Sequence, residues 1–309
     1  MKNIKILTLL IVFAAFYQTD LLAQSITDKD ENILKTLNYQ DSIIYKKVNG
    51  EELKMIIFMP KNKKYKKTPF MVFTHGGGWA YGDRYVILKD LFFKPLQFLL
   101  DSGIACASIE YRLNRGGNKV VDAVTDCKDA VKFLVKNADK FDLDVSKIGV
   151  WGGSAGGHLS LMTGLAYDRY FKGETQLAKI HPTFKCIVSY FPQTTFTDTD
   201  VLHATNYLNA KKLEEMMGSD QTTAKLLSPV NYIKKGNPPI LLIHGTNDTT
   251  LSYLNSTYFL SKAKEAGSDV TLLTVKNAGH GLNGRDISPS IDEVSKQVSD
   301  FMAYHLLNR

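Results

Sequence analysis

One stretch constrains this chain more than any other: Ile148-Gly-Val-Trp-Gly-Gly-Ser-Ala-Gly-Gly-His158. The apolar residues Ile148 to Trp151 predict a strand, Gly152 to Gly156 break it, and Gly157 to Met162 suit a helix. Strand, sharp turn, helix is the setting of a G-x-S-x-G elbow, in which a serine sits at the tip of a strained turn and projects its hydroxyl clear of the backbone. Its neighbours must lack bulk because strand and helix nearly touch there, and Gly152 and Gly156 meet that need. A helix starting at the serine also aims free N–H groups at any negative charge that develops beside it. An ordinary glycine-rich loop between a strand and a helix would satisfy the same local pattern, so the rest of the chain has to decide.

The pattern on either side is one of alternation. Ser42 to Lys46 and Leu53 to Met59 read as an antiparallel hairpin at a sheet edge, with Asn49-Gly50 as its turn. Buried strands are expected at Phe70 to Thr74, Ile104 to Ile109, Ile148 to Trp151, Cys186 to Phe191 and Ile240 to Ile243, and a further strand at Val270 to Val275. Helical spacing of apolar residues falls between them, at Tyr85 to Leu100, Val121 to Val135, after Ser154, at Leu254 to Ala266 and at Ile291 to Leu307. The fold class is therefore α/β, with a mostly parallel central sheet and helices on both faces. Between Pro192 and Pro238 the alternation stops. This polar stretch, with a helix expected over Leu208 to Met217, reads as a small cap inserted at the carboxyl end of the sheet.

Lys2 and Lys5, the apolar run Ile6 to Phe16 and the sequence Leu21-Leu-Ala23 describe a secretory signal peptide over residues 1–23. An uncleaved N-terminal anchor is the alternative, although the apolar run is about half the length that spans a bilayer. Residues 24–309 suit one large domain, with the cap at about 192–238. The formal net charge is +7, and much of the excess lies in Lys61 to Lys67, expected to be a solvated hairpin loop, with contact to an acidic polymer as the sharper reading. No nucleic-acid motif and no stable membrane insertion are expected. Cys106, Cys127 and Cys186 lie in apolar segments and read as buried thiols, neither a disulfide framework nor a metal site.

A serine hydroxyl is a weak nucleophile at neutral pH and needs a base, most often an imidazole. Of seven histidines, His280 is the best placed. It lies in Asn277-Ala-Gly-His-Gly281, just beyond a predicted strand, where a parallel sheet collects its active groups. The imidazole in turn needs a carboxylate to set its tautomer and stabilise its charged form. Asp248, in the loop after the strand Ile240 to Ile243, is the candidate; Asp198, Asp200 and Asp220 compete but follow no strand that would hold them. Negative charge on a tetrahedral intermediate calls for preorganised N–H donors. His75-Gly-Gly-Gly78 and the N–H of Ala155 can supply them. His75 is expected to hold that loop by hydrogen bonds, and His158 and His244 to serve in packing or behind the site. Trp79 is expected to anchor the glycine loop, and with Tyr81 is the candidate for lining a substrate pocket. Tyr111 and Arg112 could position substrate, but an ion pair of Arg112 with Asp126 or Asp129 is the simpler reading.

Taken together, His75-Gly-Gly-Gly-Trp79, Tyr111-Arg-Leu113, Gly152-Gly-Ser-Ala-Gly-Gly-His-Leu159, Ser228-Pro229, Pro238-Pro-Ile-Leu-Leu-Ile-His-Gly245 with Asp248, and Gly279-His280 resemble the α/β-hydrolase superfamily. More narrowly they are similar to hormone-sensitive-lipase-like esterases and to the bacterial acetylxylan and feruloyl esterase-like branch. The resemblance implies Ser154, Asp248 and His280 as a triad, the amides of Gly77, Gly78 and Ala155 as an oxyanion hole, and neither cofactor nor metal. Hormone-sensitive-lipase-like members usually carry Asp before the serine; Gly153 stands there in this chain, which favours the polysaccharide-esterase-like branch. The expectation is a secreted serine carboxylesterase acting on short-acyl or aromatic-acyl esters of a small molecule or oligosaccharide. Amide hydrolysis, as in an exopeptidase or arylformamidase, and a non-catalytic binding protein on the same fold are the alternatives. Oligomeric state is left open.

Overall fold

The computed structural model describes residues 26–205, 211, 213 and 221–308. The expected signal peptide lies outside these residues, as does the helix expected over Leu208 to Met217 apart from residues 211 and 213. The strands are β1 (Asn38–Val48), β2 (Glu51–Met59), β3 (Thr68–Thr74), β4 (Ala105–Ile109), β5 (Leu143–Gly153), β6 (Cys186–Tyr190), β7 (Ile240–Gly245) and β8 (Val270–Val275). The α-helices of the described residues are α1 (Asp28–Leu34), α2 (Asp90–Asp101), α3 (Val120–Lys136), α4 (Ala155–Leu165), α5 (Thr199–His203), α6 (Gln221–Leu227), α7 (Leu254–Ala266) and α8 (Ile291–Leu307).

The strands form one eight-stranded sheet in the order β1-β2-β4-β3-β5-β6-β7-β8. β1 pairs antiparallel with β2 and β2 antiparallel with β4; every later pairing is parallel. This is the α/β-hydrolase arrangement. Because strand side chains alternate, adjacent residues feed two separate cores. Val72 and Val150 point into one, with Val124, Leu159 and Phe259 from α3, α4 and α7. Phe73 and Trp151 point into the other, with Leu96 and Leu99 from α2 and Val298 and Met302 from α8. Both faces of the central strands are thus covered, which is why β3, β4 and β6 are buried along their whole length.

Four local expectations need correction or extension. The lysine-rich segment is not a hairpin loop, because β4 lies between the two strands it joins. Part of its charge is met by the chain itself: Lys63 pairs with Asp142 at 2.5 Å and Lys67 with Asp139 at 3.0 Å. The single helix expected over Tyr85 to Leu100 is a 3-10 turn, Arg84–Leu88, followed by α2, with extended backbone at Lys89 between them. Arg84 is pinned to Asp41 and Glu110, which holds that turn apart from the helix. Helix α1 had no periodicity to announce it, but Thr27 and Asp30 form a capping box at its start. The cap region contributes α5, α6 and a 3-10 turn at Pro229–Tyr232, and no strand among the described residues.

Candidate active site

The nucleophile turn is built by steric necessity. Ser154 joins β5 to α4 with φ +57° and ψ −121°, a conformation that few residues with a side chain adopt. Its N–H donates to Tyr190 O at 2.9 Å, tying the turn to the end of β6. A Cβ on Gly156 would lie 2.0 Å from Thr74 O, and one on Gly152 would lie 2.4 Å from the same atom. Helix and strand can approach this closely only because both positions are glycine.

Three loops at the carboxyl ends of β5, β7 and β8 then converge. His280 Nε2 lies 3.0 Å from Ser154 Oγ, and His280 Nδ1 lies 2.8 Å from Asp248 Oδ2. The serine hydroxyl can donate to Nε2 only if the imidazole proton is on Nδ1, and Asp248 is where that proton points. The Asp248 side chain is fully buried while that of His280 is 24% exposed, so the imidazole is reachable from outside and its carboxylate partner is not. Burial acts to raise the Asp248 carboxyl, but hydrogen bonds from His244 and His280 and from the backbone hold it well below the usual carboxylate range. Asp248 Oδ1 accepts from Thr250 N at 2.8 Å and Leu251 N at 2.9 Å. The carboxylate is therefore fixed in place and ionised.

The oxyanion loop follows β3. Gly77 and Gly78 have φ +107° and +58°, and Trp79 has +59°. A Cβ at Gly77 would meet Tyr81 O at 2.2 Å. The N–H groups of Gly77, Gly78 and Ala155 make no hydrogen bond to an acceptor among the described residues, so all three remain available as donors. His75, beneath the loop, has Nδ1 2.7 Å from Gly76 O and is stacked on Tyr111 at 4.2 Å between ring centroids. Tyr111 Oη donates to His75 O at 3.0 Å. Burial pushes the His75 imidazole down to about 4, so it stays neutral.

Trp79 is 3% exposed, which corrects its place as a pocket-lining candidate. Its indole N–H donates to His158 Nδ1 at 3.1 Å, and His158 Nε2 donates to Leu227 O at 2.8 Å. The glycine loop, α4 and the cap are tied together through that one neutral imidazole, which burial also lowers to about 4. Tyr81, by contrast, is 57% exposed on the same loop. Arg112 makes the expected ion pair with Asp126, at 2.7 Å and 2.8 Å through Nε and Nη2. Asp198 is occupied in capping α5, accepting from Val201 N; Asp200 lies within α5, and Asp220 is outside the described residues.

His244 stands behind the site, as expected from the sequence, whereas Phe191 was not singled out. His244 Nε2 lies 3.3 Å from Asp248 Oδ2 and 3.0 Å from Leu251 O, and Ser256 Oγ lies 2.7 Å from its Nδ1. It holds the carboxylate from behind, and its spacing of four from Asp248 was the available signal. Phe191 turns back at φ +36° and sets its ring edge against His280 at 4.7 Å. Gly153 also gains a physical reason: a Cβ there would lie 2.6 Å from Phe92 Cζ, so an acidic residue before the serine has no room.

The chemistry such a site can perform is nucleophilic attack on an acyl carbonyl. Known proteins with similar sequences and folds point the same way. Residues 55–263 match the BD-FAE family. Esterase LipC of Mycobacterium tuberculosis is 26% identical over 247 residues, 77% of this chain and 60% of LipC. A probable isoprenylcysteine alpha-carbonyl methylesterase of Oryza sativa is 27% identical over 235 residues, 72% of this chain and 54% of that protein. The chain thus spans under two thirds of the length of these curated relatives. Among solved structures, butyrate-bound Est2, a thermophilic esterase of Thermogutta terrifontis, superposes with a TM-score of 0.72 at 25% identity, covering 88% of this chain and 96% of that one. The same esterase bound to propionate gives 0.70 at 26% identity, with 88% and 96% covered. Among the described residues no group of three or more His, Cys, Asp and Glu is arranged to hold a metal ion, and no helix is long and apolar enough to cross a membrane. By the match over most of its length and by the sheet that carries Ser154, this chain belongs to the BD-FAE family of the α/β-hydrolase superfamily of esterases and lipases.

Proposed function

We propose that the protein is an exported serine carboxylesterase that removes short-acyl or aromatic-acyl groups from sugar polymers. The observation that carries the ester chemistry is the continuous hydrogen-bonded path from Ser154 Oγ through His280 to Asp248. Ser154 Oγ attacks the ester carbonyl as its proton passes to His280 Nε2. Asp248 stabilises the resulting imidazolium without itself taking the proton. The N–H groups of Gly77, Gly78 and Ala155 meet the oxyanion, and His280 then protonates the departing alcohol. Water enters by the same route and releases the acid.

The finer assignments rest on different supports. Lys2, Lys5, the run Ile6 to Phe16 and Leu21-Leu-Ala23 support export. Membership of the BD-FAE family and Gly153 before the nucleophile support a polymer-borne ester, and the butyrate and propionate held by a similar esterase support a short acyl group. The test is turnover of acetylated and feruloylated oligosaccharides against plain aryl esters of rising chain length. Acylated oligosaccharides should give the higher kcat/KM, with Ser154→Ala lowering kcat on every substrate by about a millionfold. Full activity in Ser154→Ala would end the mechanism; preference for plain long-chain aryl esters would end only the polymer assignment.

A further inference from the structure

A cleft of about 710 Å³ opens far from the triad. It lies beneath the amino-terminal ends of β6 and β7, between α3, the end of α4 and the last turn of α8, whereas Ser154, Asp248 and His280 follow the carboxyl ends of β5, β7 and β8. Helix α4 alone, 11 residues from the nucleophile to the cleft, separates the two by about 16 Å. The volume falls in the range of small-molecule sites, so the cleft is large enough for a ligand of its own.

Its charge is one-sided. Lys128, Lys132, Lys185 and Lys234 line it against a single carboxylate, Asp168. Lys128 and Lys132 are buried, with side chains 5% and 7% exposed, and both reach Asp168, at 3.2 Å and 2.8 Å. Lys128 spends its other hydrogens on Thr163 O and Ala166 O. Asp168 is the one polar partner of Lys132 Nζ among the described residues, which leaves N–H donors for a ligand. Lys234, unlike Lys132, has no carboxylate partner among the described residues; its Nζ sits 4.9 Å from the centroid of the Tyr167 ring. Tyrosine rings border the cleft: Tyr167 is 37% exposed but has Arg169 and Lys234 over its ring, at 4.4 Å and 4.9 Å, and Tyr304 is 62% exposed. Two buried ammoniums, with His181 Nδ1 at 3.6 Å, thus share one carboxylate, while Lys185 and Lys234 stand in solvent.

We propose that this cleft is a second binding site, for an acidic oligosaccharide carrying uronate carboxylates. A sugar ring presents an apolar C–H face and a polar rim, which suits the exposed Tyr304 ring beside lysine ammoniums. The carboxylates of uronate units neutralise the excess positive charge. A site at the opposite end of the sheet can hold one part of a polymer while another part reaches Ser154.

Calorimetric titration of the full chain with trigalacturonate tests this. The expected result is saturable binding that weakens with salt, about tenfold or more tighter than xylotriose of the same length, and about tenfold weaker in Tyr304→Ala and in Lys234→Ala. Both positions are on the surface, and thermal melting checks that each variant is folded. Ser154→Ala should bind as tightly as the natural chain, because the nucleophile is remote. Absence of saturable binding, equal binding of xylotriose, or affinity unmoved by both cleft substitutions would overturn the proposal. So would loss of binding in Ser154→Ala, which would put the ligand at the triad, or equally tight binding of polyglutamate or inorganic phosphate, which would make the cleft a general anion site.

Discussion

Asp248 and Asp168 are buried or partly buried carboxylates at opposite ends of the same sheet, and each is surrounded by nitrogen bases. At Asp248 the partners are His280 and His244, at 2.8 Å and 3.3 Å. At Asp168 they are Lys132 and Lys128, at 2.8 Å and 3.2 Å, with His181 Nδ1 farther off at 3.6 Å. In both, burial acts to raise the carboxyl and the surrounding donors lower it. What differs is the partner. An imidazole can gain and lose a proton near neutral pH, so a carboxylate beside it can stabilise a charge that comes and goes during a reaction. An ammonium ordinarily titrates well above that range; burial lowers Lys128 and Asp168 beside it acts to raise it, so the carboxylate there offsets a standing charge. Similar geometry thus supports proton transfer at one end and static recognition at the other.

The sharpest way to break this comparison is to neutralise each carboxylate. Asp248→Asn should lower kcat on an aryl acetate by about 10⁴-fold, because the amide favours the wrong imidazole tautomer. Asp168→Asn should act chiefly on stability, by roughly 3 kcal/mol or less in urea unfolding, since it leaves two buried ammoniums without their counter-charge and the site is partly solvated. Equal losses of turnover in the two variants would erase the distinction. Gly77→Ala comes next. Its new Cβ would drive against Tyr81 O and displace the loop amides, so kcat should fall by about 100- to 1000-fold with the unfolding midpoint less affected. Near-normal kcat would remove Gly77 from the oxyanion hole.

A pH-dependent effect concerns the buried imidazoles His75 and His158, which stay neutral down to about pH 4 in the folded chain. In the unfolded chain an imidazole takes its proton near 6.5. The unfolded state therefore binds more protons between these values, and stability, complete above about pH 6.5, falls as pH drops toward 4. The two groups contribute on the order of 3 kcal/mol each when the loss is fully developed. Urea midpoints measured from pH 7.5 to 4.5 should decline, and less steeply in His158→Gln. A flat profile in the natural chain would mean these rings are not buried as neutral bases.

Much of the candidate site was legible because its chemistry is local. Gly152 and Gly156 announce a close approach, and His280 and Asp248 each follow a strand in a short loop. Helix α7 and strand β8 lie where the apolar periodicity put them, since each repeats long enough to define a face. Trp79 was harder to assign. A large aromatic beside a glycine loop can line a pocket or lie under it, and only the partner His158, 79 residues away, decides. His244 could be read as a strand-end residue with equal ease until Asp248 folds back on it. The lysine loop was mistaken for a hairpin because neighbours in sequence need not be neighbours in a sheet.

Residue order alone determined the α/β class, the glycine-flanked nucleophile turn and the identities of the three side chains that meet there, because strand period, helix period and turn chemistry are short-range properties of the backbone. Tertiary structure decided which donors grip Asp248, which aromatic rings are hidden, and that Lys128, Lys132 and Lys234 share a cleft with Tyr167 and Tyr304. Those are contacts between segments far apart in the chain, set by how helices pack across the two faces of a twisted sheet, and no local pattern encodes them.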